Sequence, residues 1–296
     1  MKILNLVYKD QSEIEYDIIN YPDGQTDIII KNWTQWYKDD NIVQIKTRLN
    51  NFEDLGLLAC AKAALQRLDI KVVHLYAPYI LGARSDRQFV EGGTSYLVDI
   101  IAPFINRLNF ESVTCLDPHS FVLEGCVNNF RKISNSELVD YSLYELYKDS
   151  MGNMFDKFIL ISPDAGASKK IYKLAEQIGY KGDIITCSKN RDKNGKLTKC
   201  IVPMGKYWND TKDVIIIDDI ADGAGTFINI AKEMKANGYK SKLYLIVTHG
   251  IFSKGFQELS KYFDGIYCTN SYKDIDLSQA TLVKNNKTLL KQLNVF

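Results

Sequence analysis

The densest set of chemically capable groups lies at 214–226, which runs Val-Ile-Ile-Ile-Asp-Asp-Ile-Ala-Asp-Gly-Ala-Gly-Thr. The aliphatic run 214–217 reads as a buried parallel strand. It ends in Asp218 and Asp219. A short loop with Asp222, Gly223, Ala224 and Gly225 follows, then Thr226 and a helical pattern through Lys235. Small residues let a backbone approach a ligand closely, and N–H groups at a helix start attract a phosphate. The loop holds no lysine, so it is not the Walker phosphate loop. Carboxylates at the strand end suit sugar hydroxyls or a metal ion instead. A phosphate beside a diol describes a ribose 5-phosphate. The plain alternative is a strand–turn–helix crossover with solvated acids. Two adjacent acids after four aliphatics, followed by a glycine loop, favour the ligand site.

Other reactive residues also sit where strands end. Arg84 and Arg87 lie in 78–88, just after the strand pattern 71–77. Ligands of open α/β sheets bind at strand C-terminal ends, and a guanidinium fork matches phosphate oxygens. A solvated charged loop is the equal alternative. His119 follows Asp117-Pro118 at the end of strand 112–116, where it can ligate a metal, contact phosphate or simply occupy a turn. Asp164 follows Ser162-Pro163 and opens a helix. The basic run 189–196, with Lys189 and Arg191, reads as a hairpin with a mobile, positive tip, or as a merely solvated one. Tyr21-Pro22-Asp23-Gly24-Gln25 is a strong turn signal between two strands. His74, inside a strand, reads as packed.

The elements that must position these residues follow from periodicity. Strands are expected at 2–8, 15–19, 27–31, 42–47, 71–77, 112–116, 158–162, 183–188, 198–202, 214–217, 242–247 and 265–269. Helices are expected at 52–68, at 95–108 with Tyr96, Leu97, Ile100, Ile101, Phe104 and Ile105 inward, at 137–147, from 165 to near Gly179, after Thr226 and at 256–262. Residues 120–136 read as loop. Periodicity is lost near residue 150 and the strand–site–helix order then restarts. This predicts two α/β domains, 1–149 and 150–296, each a mostly parallel sheet flanked by helices.

Within that order, 214–226 resembles the signature of the type I phosphoribosyltransferase fold, with Gly223 where threonine is usual. Further segments resemble those of the ribose-phosphate diphosphokinases, also called phosphoribosyl pyrophosphate synthetases. They are 78–88, Asp117-Pro118-His119, 162–166, Lys189-Asn190-Arg191 and Thr248-His249-Gly250-Ile251-Phe252-Ser253. The six segments stand in the family's order from about Tyr21 to Thr269. The resemblance implies transfer of a diphosphoryl group from ATP to the 1-hydroxyl of ribose 5-phosphate, leaving AMP. It implies that Asp218, Asp219 and Asp222 hold the ribose and that Gly223, Ala224, Gly225 and Thr226 hold its 5-phosphate. His119 and Asp164 would contact Mg2+ on the ATP phosphates. Arg84, Ser85 and Asp86 would bind ATP, and Tyr21, Asp23 and Gln25 its adenine from a neighbouring subunit of a homo-oligomer, dimer or larger. Lys189, Arg191 and His119 would be catalytic. Glu91, Gly92 and Gly93 depart from the residues many members use for phosphate activation and ADP inhibition, so that regulation is not expected. Three rivals remain: the same transfer to a larger 5-substituted ribose such as ADP-ribose, a phosphoribosyltransferase that consumes the product, and a non-catalytic synthetase-associated subunit.

Composition fits this reading. The chain has 296 residues, enough for two cores, and a net charge of +1, which gives no cause to expect nucleic acid as a partner. No signal pattern and no apolar run long enough for a bilayer is present, so a soluble cytoplasmic protein without a membrane partner is expected. The six cysteines are scattered without a C-x-x-C pair and read as buried thiols.

Overall fold

The computed structural model describes residues 1–35, 41–191, 197–209, 211–278 and 288–296. Two units divide the chain: Met1–Ile133 with Phe296, and Ser134–Val295.

The first unit holds β1 (Lys2–Asn5), a hairpin of β2 (Tyr16–Asn20) and β3 (Thr26–Ile30), β4 (Ile42–Lys46), α1 (Phe52–Arg67), β5 (Val72–Tyr76), α2 (Ala102–Arg107), β6 (Ser112–Leu116), α3 (Phe121–Cys126) and β7 (Phe130–Ile133). Its sheet runs β1-β4-β5-β6-β7, all parallel. Its central strands alternate, with Val43, Ile45, Val73 and Leu75 buried and the residues between them partly exposed. Asn51 starts α1 with a capping box: its side chain accepts from the Asp54 N–H at 2.9 Å, and Asp54 Oδ2 accepts from the Asn51 N–H at 3.2 Å.

Two expectations fail here for local reasons. Residues 120–136 are not loop: Ser120 caps α3, and β7 pairs along β6. Three of the four β7 residues are exposed, so this edge strand carries no hydrophobic pattern to read. Ile100, expected inward, is 40% exposed. The turn Leu97–Ile101 is a π-helix, closed by the Ala102 N–H on Leu97 O, and it passes into α2 at Pro103. The wider turn rotates Ile100 outward, while Leu97, Ile101 and Ile105 stay buried.

The second unit holds α4 (Ser136–Tyr147), β8 (Phe158–Ser162), α5 (Ala165–Gln177), β9 (Ile184–Thr186), a hairpin of β10 (Ser188–Arg191) and β11 (Leu197–Ile201), β12 (Asp213–Ala221), α6 (Gly225–Ala236), β13 (Leu243–Gly250), β14 (Gly265–Thr269) and β15 (Leu290–Leu293). Its sheet, β15-β14-β13-β12-β8-β9, is parallel throughout. The division falls before α4 rather than at residue 149. The reason is packing: Leu138, Val139, Leu143 and Tyr147 of α4 share a core with Phe158, Leu160 and Ile215 of the second sheet. The helix expected at 256–262 is a single 3-10 turn, Leu259–Lys261. The hairpin at Lys189 is present, but its tip, 192–196, lies outside the described residues.

Among the described residues no helix is long and apolar enough to cross a membrane. Cys115, Cys187, Cys200 and Cys268 are buried, and Cys60 and Cys126 are half-buried.

Candidate functional site

The signature strand is longer than its aliphatic run. β12 continues through Asp218 and Asp219 to Ala221 because β13 keeps pairing beside it, with Asp218 opposite Val247, Ile220 opposite His249 and Ala221 opposite Gly250. β8, on the other side, pairs only with residues 213–216. Beyond the end of β8, the side chain of Lys170 on α5 reaches β12. Its Nζ lies 2.7 Å from Asp219 Oδ2, and Asp219 is 6% exposed. A carboxylate so deeply buried needs a counter-charge. Asp219 is therefore a fixed group, oriented by α5, whereas Asp218 is half-buried.

The loop after β12 turns through Ala224, which has φ 54° and is the N-cap of α6 without a side-chain cap bond. A helix of this length that begins without its own cap presents N–H groups to an anion. The neighbouring loop, after β13, braces it. The N–H groups of Ile251 and Phe252 both donate to Ala221 O, at 2.9 and 3.0 Å. Ser253 Oγ donates to Asp222 Oδ1 at 2.5 Å. Gly250 is required here, since a Cβ would stand 2.5 Å from the Phe252 ring. Cys268 lies beneath this loop; burial pushes its thiol up to about 12, so it stays protonated and offers no thiolate nucleophile. His249 is buried, with Nδ1 2.8 Å from Ser271 Oγ.

Asp164 stands at the C-terminal end of β8, next to β12 in the sheet. It caps α5: Oδ1 accepts from the Ala167 N–H at 3.0 Å. The acids 218–222, Asp164 and the start of α6 thus share one sheet edge. Lys189 and Arg191 lie in β10, a ribbon that joins β11 and no strand of the six-stranded sheet.

In the first unit, Arg84, Ser85 and Asp86 lie in the loop leaving β5, and His119 follows β6. These strands are parallel neighbours, so both segments emerge at the same edge. The Leu116 N–H donates to Pro78 O at 3.1 Å and ties the two together. Arg84 and His119 are exposed. Asp86 is buried, with Oδ1 3.4 Å from Arg87 Nε. Tyr21, Asp23 and Gln25 form the exposed tip of the β2–β3 hairpin, where the Tyr21 N–H donates to Gln25 O at 2.8 Å. His74 meets Ser112 Oγ at 2.8 Å, as a packed histidine would.

The Arg84 loop depends on Gly82, at φ 80°, where a Cβ would stand 2.7 Å from Tyr96 Cδ1. Gly82→Ala is expected to cost about 1–3 kcal/mol. Thermal unfolding would show the loss, and an unchanged melting temperature would mean that the loop adapts freely.

Among the described residues no cluster of three or more His, Cys, Asp or Glu side chains could hold a metal by itself. Magnesium needs less, because it is commonly held through one or two carboxylates and substrate phosphates. Asp164, whose Oδ1 accepts from the Ala167 N–H, supplies a carboxylate of that kind.

Sequence reasoning passed over Lys170 and Lys254. Lys170 is one of two adjacent lysines in a helix, and only the fold reveals its partner. The Lys254 side chain runs along Gly223, with Cε 3.4 Å from where a Cβ of that residue would stand.

No protein-family model matches the chain. Curated relatives do. The ribose-phosphate pyrophosphokinase of Fusobacterium nucleatum is 30% identical over 239 residues, covering 80% of this chain and 71% of that protein. Ribose-phosphate pyrophosphokinase of Mycoplasmopsis pulmonis is 28% identical over 232 residues, 78% of this chain and 68% of that one. Ribose-phosphate pyrophosphokinase 4 of Saccharomyces cerevisiae is 26% identical over 286 residues, 93% and 82% of the two chains. The crystal structure of phosphoribosylpyrophosphate synthetase from Mycobacterium smegmatis shares the fold, with a TM-score of 0.74 over 97% of this chain and 88% of that one at 17% identity. Given the identity and coverage of the Fusobacterium protein, the chain belongs to the ribose-phosphate pyrophosphokinase family.

Proposed function

We propose that this chain is an active ribose-phosphate diphosphokinase, transferring the diphosphoryl group of ATP to the 1-hydroxyl of ribose 5-phosphate and releasing AMP. The observation that carries this reading is the edge of the second sheet. There, acids that suit sugar hydroxyls adjoin a helix start that suits a phosphate.

The roles follow from chemistry. Asp218 and Asp222 accept hydrogen bonds from the ribose hydroxyls, and Asp219, neutralised by Lys170, shapes their floor. The loop 223–226 takes the 5-phosphate on backbone N–H groups and the Thr226 hydroxyl. Arg84, with Ser85 and Asp86 in its loop, binds ATP phosphates, and the tip carrying Tyr21, Asp23 and Gln25 receives adenine in a neighbouring copy of a homo-oligomer. His119 and Asp164 would hold Mg2+, which would supply neutralisation of phosphate charge. Lys189 and Arg191 add cations to the diphosphoryl group as it passes to the sugar oxygen. Such a reaction needs positioning and charge neutralisation, and no covalent intermediate on the protein.

The second reading is the same transfer to an acceptor with a larger 5-substituent, such as ADP-ribose, because glycine at 223 carries no side chain beside the 5-phosphate.

The test is incubation of the full chain with ATP, Mg2+ and ribose 5-phosphate. Equal amounts of AMP and phosphoribosyl diphosphate are expected. ADP alone would mean an ordinary kinase. Turnover only with ADP-ribose would move the assignment to that acceptor, and turnover with neither would favour a non-catalytic subunit.

A further inference from the structure

The loop after β12 contains no cation, yet one stands over it. Lys254 is exposed, and its stem lies against Gly223, with Cε, Cδ and Cγ 3.4, 3.5 and 3.9 Å from where a Cβ there would stand. Three features fix this arrangement. The Ile251 and Phe252 N–H groups are both held by Ala221 O, so the turn bearing Lys254 is tied to the root of the phosphate loop. Ser253, the preceding residue, donates to Asp222, the first residue of that loop. Phe252, at φ 46°, is buried against Phe256 with ring centroids 4.7 Å apart, and the Gly255 N–H closes the turn on Phe252 O at 3.0 Å. The backbone bearing Lys254 is therefore held beside the loop, and its exposed side chain lies next to Gly223.

We propose that Lys254 is a specificity-determining residue for the acceptor, supplying a cationic contact to its 5-phosphate from the loop after β13. This rests on the reading of 222–226 as the 5-phosphate site. The physical argument is exchange of one donor for another. A side-chain hydroxyl at position 223 would give the phosphate a neutral hydrogen bond. Glycine gives none, and the lysine whose stem lies beside it offers an ammonium instead. A charge-assisted bond to phosphate is the stronger of the two and discriminates more sharply against an acceptor without the phosphate. It also differs in kind from the N–H groups of α6, because its contribution falls as salt rises.

The experiment separates charge from packing. Lys254→Met keeps an unbranched stem against Gly223 and removes the ammonium. Initial rates and titration calorimetry would be run on the full chain with ribose 5-phosphate, and calorimetry also with ribose. In K254M, KM for ribose 5-phosphate should rise about tenfold, the loss of one charge-assisted contact, with kcat within about twofold. Lys254→Arg should stay near wild type, and Lys240→Ala, an exposed lysine elsewhere in the unit, should change nothing. Gly223→Thr in the K254M background should recover part of the affinity, because a hydroxyl returns. Ribose should bind K254M and wild type equally. If K254M keeps the wild-type KM, Lys254 is only packing and the proposal falls, while the reading of the site stands. If the wild type itself fails to bind ribose 5-phosphate, the reading of the loop falls first and the role of Lys254 with it.

Discussion

Replacing Lys189 with alanine should lower kcat about a hundred- to a thousandfold and leave KM for ribose 5-phosphate within about twofold. During diphosphoryl transfer, negative charge is spread over the phosphate oxygens, and the protein has little covalent chemistry to perform. Cations that matter only in the transition state change kcat, whereas contacts made equally to bound substrate change KM. Lys189 stands in β10, part of a two-stranded ribbon outside the main sheet, and the groups proposed to bind the acceptor stand on β12 and the loop after it. The two sets of residues belong to different elements, so the kinetic constants should separate. Arg191→Ala should act in the same direction. Steady-state kinetics with ATP and ribose 5-phosphate would decide it: an unchanged kcat would take this ribbon out of the reaction, and a large rise in KM alone would make it a binding element.

Lys170→Ala should destabilise the second unit by about 2 kcal/mol, because it leaves a buried carboxylate without its counter-charge. The figure is taken below the usual range for a broken buried pair because the lysine side chain is 31% exposed and partly solvated. For a unit of this size the melting temperature should fall by about 5 °C. The acid should also lose its orientation, so KM for the acceptor should rise. Pairing the change with Asp219→Leu separates the two causes. The double variant should regain stability, as a buried acid is no longer stranded, but not acceptor affinity. Full stability in Lys170→Ala alone would show that Asp219 is neutralised by something else.

These expectations also mark how far the chain could be read before its fold was seen. The aliphatic run 214–217 and the glycine loop behind it stated a strand, a turn and a helix, because burial and backbone freedom leave direct traces in residue type. The ends of that strand did not. Asp218 and Asp219 read as an exit, yet pairing with β13 carries the ladder to Ala221, since a register partner is not written in the strand itself. Lys170 was hidden because its partner is 49 residues away. Lys254 was hidden because an exposed lysine after a serine has no pattern to distinguish it. β7 was missed because an edge strand with three exposed residues in four has no reason to be hydrophobic. The candidate segments, by contrast, stand out in order, since most of them couple a strand end to a charged or polar group.

The strand orders bear on how the protein is made. In the first sheet each strand lies beside the one before it, β1-β4-β5-β6-β7, once the separate hairpin is set aside. In the second, β9 joins β8 on one side, and β12, β13, β14 and β15 then extend the other edge in sequence. No strand has to be threaded between two neighbours that have already paired. Both sheets can therefore grow outward as the chain leaves the ribosome, and the first unit, apart from Phe296, is complete in sequence before α4 is synthesised. All-parallel sheets pay heavily in loop closure and fold slowly. Edge-wise growth keeps each closure short, and it brings the acid-bearing β12 into place before the strands that later cover its flank.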